Sequence, residues 1–136
     1  VKTLCFHGPS FRFATFRKAI ADAPDDVRDV TVPACVVAFL HCEAEDAGRE
    51  AEVVTKLVKH LKWLAGKANT KTVVLHWFSH LSDSFAPVEV AQALVAAARQ
   101  RLESVGFVVE VTPFGHFCAL DLHVAGESHA KVWKAI

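Results

Sequence analysis

No stretch of the chain is apolar for the roughly 18–20 residues that a membrane-spanning helix requires. No CxxC pair occurs among the four cysteines, and neither sign of charge predominates, fifteen Lys and Arg standing against fifteen Asp and Glu. The first absence argues against a helical membrane protein. The second argues against a disulfide scaffold and against the commonest zinc signatures, so Cys5, Cys35, Cys42 and Cys118 are expected as reduced thiols in a soluble, cytoplasmic protein. The third argues against a protein that grips a long nucleic acid through many phosphates, because such a surface carries a basic excess. A short single-stranded end, or help from another domain, remains compatible with zero formal charge. Asn and Gln are scarce, with only Asn69, Gln92 and Gln100, a weak sign of heat tolerance that the four cysteines oppose. There is no GxSxG elbow, no P-loop, no GxGxxG, no internal repeat and no low-complexity tract.

What is present is a globular chain. Its 136 residues are 52% hydrophobic and 22% charged, enough for one domain, 1–136, with one sizeable core. Val1–His7 carries one basic residue and a short apolar stretch, too little for a signal peptide and better read as a first strand ending at a Gly8-Pro9 turn. Residues 11–17 (FRFATFR) alternate as a half-buried strand, and 21–30 reads as a charged loop. Residues 34–42 (ACVVAFLHC) are nearly continuous in apolar, often β-branched side chains, which predicts a strand covered on both faces.

Two amphipathic helices follow. Over 48–66, Ala51, Val54, Leu57, Val58, Leu61 and Leu64 recur at three- and four-residue spacing, with Gly66 as a stop. Over 87–105, Val90, Ala91, Leu94, Val95, Ala98 and Leu102 do the same between Pro87 and Gly106. The row Lys56, Lys59, Lys62 shares its helix with Glu50 and Glu52 and reads as a solvated face. Strands are predicted at 71–78 and 107–112, then a Pro113-Phe114-Gly115 turn forming a hairpin into 116–124, and a last helix at 127–135. Strands interleaved with two helices give an α/β fold with one mixed sheet.

Eight histidines invite a metal reading, yet His76 with His80, His41-Cys42 and His116-x-Cys118 all lack a recognised ligand spacing. No metal and no cofactor is expected. A nucleophilic Cys118 or Cys42 with His80 as base is conceivable, although a cysteine is more often a small buried hydrophobe. Two segments stand out because strand ends free main-chain groups for a ligand. They are Trp77-Phe78-Ser79-His80-Leu81-Ser82 and Thr112-Pro113-Phe114-Gly115-His116-Phe117-Cys118.

These segments, F-S-H-L-S and P-F-G-H-F, resemble F-A-H-L-S and P-F-G-Y-Y-K in the editing domain of archaeal-type threonyl-tRNA synthetases. His7 at the end of the opening strand, Val37-Ala38-Phe39, both helices and Gly126 fall in the same order. The resemblance implies a D-aminoacyl-tRNA deacylase-like fold and a homodimer. It implies proofreading by hydrolysis of L-seryl-tRNA(Thr), beside synthetase catalytic and anticodon-binding domains in cis or trans, as suits a chain without an initial Met that ends abruptly at Ile136. It implies a pocket lined by His41, Cys42, Trp77, Phe78, Ser79, His80, Phe114 and Gly115, extended here to His116, Phe117 and Cys118. Where the family motif has Tyr-Lys, this chain has Phe117-Cys118, and Lys131 stands near where relatives carry Glu. With that side-chain apparatus gone, the expected chemistry is water attack on the aminoacyl ester, aided by main-chain N–H groups and the terminal adenosine 2′-hydroxyl. His80 is the expected catalytic side chain, and Lys131 is expected to reach the RNA end. A D-aminoacyl-tRNA deacylase and a non-catalytic docking or dimerisation module are the competing readings.

Overall fold

The computed structural model describes residues 1–136. Its secondary structure is β1 (Lys2–Lys18), β2 (Asp29–His41), α1 (Glu50–Lys67), β3 (Thr72–Trp77), α2 (Val88–Glu103), β4 (Val108–Val111), β5 (His116–His123) and β6 (Lys131–Ala135). One six-stranded sheet runs β4-β3-β2-β1-β5, with β6 also paired to β1. β2, β3 and β4 are mutually parallel, and β1 is antiparallel to β2, β5 and β6. The mixed sheet with two amphipathic helices is the architecture the sequence pattern called for. No helix is long and apolar enough to cross a membrane.

Both helices lie against one side of the sheet. Leu57, Leu61 and Leu64 of α1 and Leu94, Ala98 and Leu102 of α2 pack on Val36, Ala38, Leu40, Val73 and Leu75. The apolar stripes are those the three- and four-residue spacing indicated, except that Ala51 is exposed. A second cluster joins Phe11, Phe13, Val32, Cys35, Val37, Phe39 and Val74 on the other side. No helix covers that face. The sheet curls so that the distal half of β1 and the partly buried Cys118 and Leu122 of β5 close over it. The continuous apolar run in β2 is therefore buried on both faces, as expected, but by a helix layer on one and by the sheet itself on the other.

Three local expectations are overturned. Gly8-Pro9 is not a turn, since β1 continues for 17 residues. It is a kink. Register passes from Gly8↔Cys35 to Ser10↔Pro33 without a Pro9↔Ala34 pair, and Ala34 takes φ 39°. Across it the strands change the side they serve. Cys5 packs with the helices, whereas Phe11 and Phe13, at the same alternation, pack opposite. Pro9 stands where the ladder is interrupted and Pro33 directly beside the interruption, a place a residue without an N–H tolerates.

The Pro113–Gly115 segment is not a hairpin either, because β4 and β5 sit at opposite ends of the sheet order. It is a crossover, stitched to the end of β1 by N–H groups of Ala19 and Ile20 that both donate to the Gly115 carbonyl, at 2.7 and 3.1 Å. Residues 127–135, expected as a helix, form a short 3-10 turn at Ser128–Ala130 and then β6. Pairing of Lys131–Ala135 with Phe6–Lys2 satisfies the free edge of β1, a long-range gain that local spacing cannot register.

Candidate functional site

Parallel strands carry their carboxyl ends to one edge of a sheet, where main-chain groups leave the ladder and a crevice forms. Here β2 ends at His41, β3 at Trp77 and β4 at Val111, with Leu40 in register with Trp77 and Leu75 with Val111. The Phe114–Gly115 crossover and the start of β5 wall the same edge. The result is a cleft of about 420 Å³ lined by His41, Cys42, Trp77, Phe78, Ser79, His80, Phe114, Gly115, His116, Phe117 and Cys118, with Ala19, Ile20, Phe85 and Ala86 among its other walls. Two stretches some forty residues apart in sequence are thus brought together. Lys131, the remaining candidate, does not line it. It opens β6 opposite Phe6 and donates to the Ala125 carbonyl at 3.3 Å.

The aromatic wall is locked edge to face. Trp77 meets Phe114 at 5.0 Å, and Phe78 meets Phe39 at 5.1 Å and His80 at 5.2 Å. Gly115, at φ 68°, has no room for a side chain, since a Cβ there would stand 2.7 Å from Ala23 Cβ.

The histidines divide by their hydrogen bonds. His41 is buried, its Nδ1 accepting from the Leu81 N–H at 3.1 Å and its Nε2 lying 2.7 Å from the Ser84 carbonyl. Both nitrogens are consumed in holding the 78–87 loop, so His41 builds the wall and offers no proton. His116 donates Nδ1–H to the Phe114 carbonyl at 2.7 Å. His80 is exposed at the mouth, its imidazole free to meet a ligand. Main-chain donors are free there too: the Phe78, Leu81 and Ala86 N–H groups are bonded within the protein, while those of Ser79 and His80 are not.

The Cys–His nucleophile does not form. Burial pushes the Cys42 thiol up to about 11, with the Asp46 charge adding to it, and burial likewise raises Cys118. A thiolate is the attacking species, so both are poor nucleophiles at neutral pH. The Cys–His contact that exists is Cys5 Sγ to His60 Nε2 at 3.9 Å under α1, where burial raises the thiol to about 12.

His76 shows the same desolvation with the opposite sign. It is packed against Phe11 and Phe39, bonded through Nδ1 to Thr112 Oγ1 at 3.0 Å, and pushed by burial from 6.5 down to about 4. Between those values the unfolded chain takes up a proton that the folded one refuses, so stability falls as pH falls. We expect unfolding by urea at pH 4.5 to show a loss of about 2–3 kcal/mol relative to pH 7 from this group. The gap between wild type and His76→Leu, measured at the two pH values, should shrink by that amount.

The cation beside Phe117 escaped the sequence. Register on β5 slips between Thr15 and Arg17, and this bulge leaves Phe16 outside and sets the Arg17 guanidinium 5.5 Å over the ring of Phe117 at the cleft rim. Phe117 is half exposed. A flat exposed ring beside a cation suits a nucleotide base and its phosphate. Nothing in FRFATFR marks the bulge.

A model of the archaea-specific editing domain of threonyl-tRNA synthetase matches residues 1–136. The threonine–tRNA ligase of Hyperthermus butylicus is 30% identical over 133 positions, covering 93% of this chain and 21% of that protein. That of Methanosphaera stadtmanae is 28% identical over 138 positions, covering 100% and 22%. The chain spans about a fifth of the length of these curated relatives. Among solved structures, the c-Myc DNA unwinding element binding protein superposes with a TM-score of 0.68 at 9% identity, covering 100% of this chain and 99% of that one. It shares the fold.

Proposed function

This chain belongs to the archaea-specific family of threonyl-tRNA synthetase editing domains, and we propose that its cleft hydrolyses the ester joining L-serine to the 3′ end of threonine's transfer RNA. The observation that carries this reading is the convergence of the β2 and β3 ends, the Phe114–Gly115 crossover and the start of β5 on one cleft. Its polar equipment there is the free Ser79 and His80 N–H groups, the exposed His80 imidazole and the unbonded Nε2 of His116.

Serine and threonine differ by one methyl, and a pocket gains only about 1–3 kcal/mol from such a group. A second site that admits serine and refuses threonine removes the resulting errors. Steric refusal needs rigid walls, which the interlocked Trp77, Phe78 and Phe114 rings and the filled space around Gly115 supply. The reacting atoms are those of an activated ester. Water adds to the carbonyl carbon, and the oxyanion accepts hydrogen bonds from the Ser79 and His80 amides. The bond to the 3′-oxygen then breaks, and that oxygen leaves with a proton as the free hydroxyl. The neighbouring 2′-hydroxyl holds the attacking water. His80 orients that hydroxyl. Phe117 stacks the terminal adenine while Arg17 meets a phosphate, which lets a chain of zero formal charge hold a single-stranded end.

The domain works within or beside a synthetase and pairs with a second copy along the open edge of β5, the last strand of the sheet. His80→Ala is expected to lower kcat for seryl-tRNA(Thr) by about tenfold to a hundredfold with little change in KM. Activity within threefold of wild type would remove His80 from the reaction. Release of D-serine from the same transfer RNA, at a rate matching or exceeding that for L-serine, would replace the reading by chirality proofreading.

A further inference from the structure

Outside the cleft, His7, Glu127 and His129 each offer one ligating atom, and the three atoms lie within 4.8 Å of one another. His7 stands on β1 beside the Gly8 kink, and the other two come from the connection between β5 and β6. That connection is tied to the strand by the Ala125 N–H donating to the His7 carbonyl at 2.9 Å and by the pairing of Phe6 with Lys131. The two imidazoles stack at 5.0 Å with 28° between their planes.

Nε2 of each ring is closed to solvent, and neither has a hydrogen-bond partner. His129 Nε2 does approach Glu127 Oε2 to 2.8 Å, but outside hydrogen-bonding geometry. Buried ring nitrogens nearly always find a partner. Two without one, side by side and next to a carboxylate, are a donor set lacking its acceptor.

We propose that His7, Glu127 and His129 form a site for a first-row divalent transition ion, with Zn²⁺ the best fit and water completing the shell. Two imidazoles and one carboxylate suit Zn²⁺ and are a poor set for Mg²⁺ or Ca²⁺, which require oxygen ligands. Bond lengths of about 2.0–2.2 Å put the donors of a tetrahedral site roughly 3.4 Å apart. The Glu127–His129 side, now 2.8 Å, opens to that size by a small motion of Glu127, whose side chain is two-thirds exposed, and the sides to His7 close from no more than 4.8 Å. The Lys131 ammonium, whose charge reaches His7, is held away on the Ala125 carbonyl. The site shares no residue with the cleft, so the ion clamps the β5–β6 connection onto β1 and takes no part in ester hydrolysis.

The test uses the whole chain, stripped with chelator and titrated with Zn²⁺, Co²⁺ and Mg²⁺ in turn. One equivalent of Zn²⁺ should bind and raise Tm, and Mg²⁺ should do neither. Co²⁺ should develop visible d–d bands without thiolate charge-transfer absorption. Glu127→Gln should weaken Zn²⁺ binding at least tenfold, and His7→Asn or His129→Asn should abolish it. Glu127 and His129 lie on a surface connection, so those two variants keep the fold, and circular dichroism verifies it. Absence of stoichiometric binding, binding unaltered by Glu127→Gln and His129→Asn, or a thiolate signature pointing to the cysteines would each overturn the site.

Discussion

Gly8→Ala is expected to destabilise the domain by at least about 3 kcal/mol, as much as truncating a buried phenylalanine. A Cβ at Gly8 would stand 1.8 Å from the His123 carbonyl oxygen, 2.8 Å from its carbon and 3.2 Å from the Ala125 nitrogen. All three are main-chain atoms, so no rotamer change makes room. The end of β5 would have to leave β1, breaking the Ser10↔His123 register and the Ala125 to His7 hydrogen bond. Gly66→Ala is the control. That glycine lies within α1 with nothing within 4 Å of the added carbon, and the substitution should stabilise by about 0.5–1 kcal/mol through helix propensity. Urea unfolding of both variants checks the pair. Equal, small effects would mean that β1 and β5 do not cross as closely as described.

Replacing the terminal adenosine of seryl-tRNA(Thr) by 2′-deoxyadenosine is expected to lower the deacylation rate at least about a hundredfold. A positioned proton-transfer group contributes on the order of 10²–10⁴, and among the side chains lining the cleft only His80 and His116 keep a ring nitrogen free to replace it. His41 is consumed by two hydrogen bonds, the Cys42 and Cys118 thiols are raised by burial, and Lys131 lies outside the cleft. On the proposed reading the substrate's own hydroxyl holds the reacting water. Single-turnover release from the two RNAs measures it. Equal rates would assign the water to the protein, with His80 the first candidate.

How much of this was legible beforehand follows from the range of the forces involved. The apolar stripes of α1 and α2 repeat within a few residues and were readable, as was the doubly covered run in β2. The two cleft segments were also visible, because strand termini marked by Ser-His or Pro-Gly announce themselves locally. Features that depend on distant partners were not. The segment ESHAKVWKA looks helical until β1 offers it an edge. Gly8-Pro9 looks like a turn until β5 passes over it. The Pro-Phe-Gly segment looks like a hairpin until three intervening strands separate its flanking strands in the sheet. His7 lies over a hundred residues from Glu127 and His129, so no spacing rule joins them. His41 read as a pocket residue, and it is one, but only the structure shows that both its nitrogens are bound to the loop it supports.

The central claim is that the cleft discriminates by size against a methyl group on an aminoacyl ester. The direct test is single-turnover deacylation of threonine's transfer RNA charged with L-serine and, in parallel, with L-threonine. Rapid release of serine, with threonine retained at least about tenfold longer, is the predicted result. Release of both at one rate, or of neither, would contradict it.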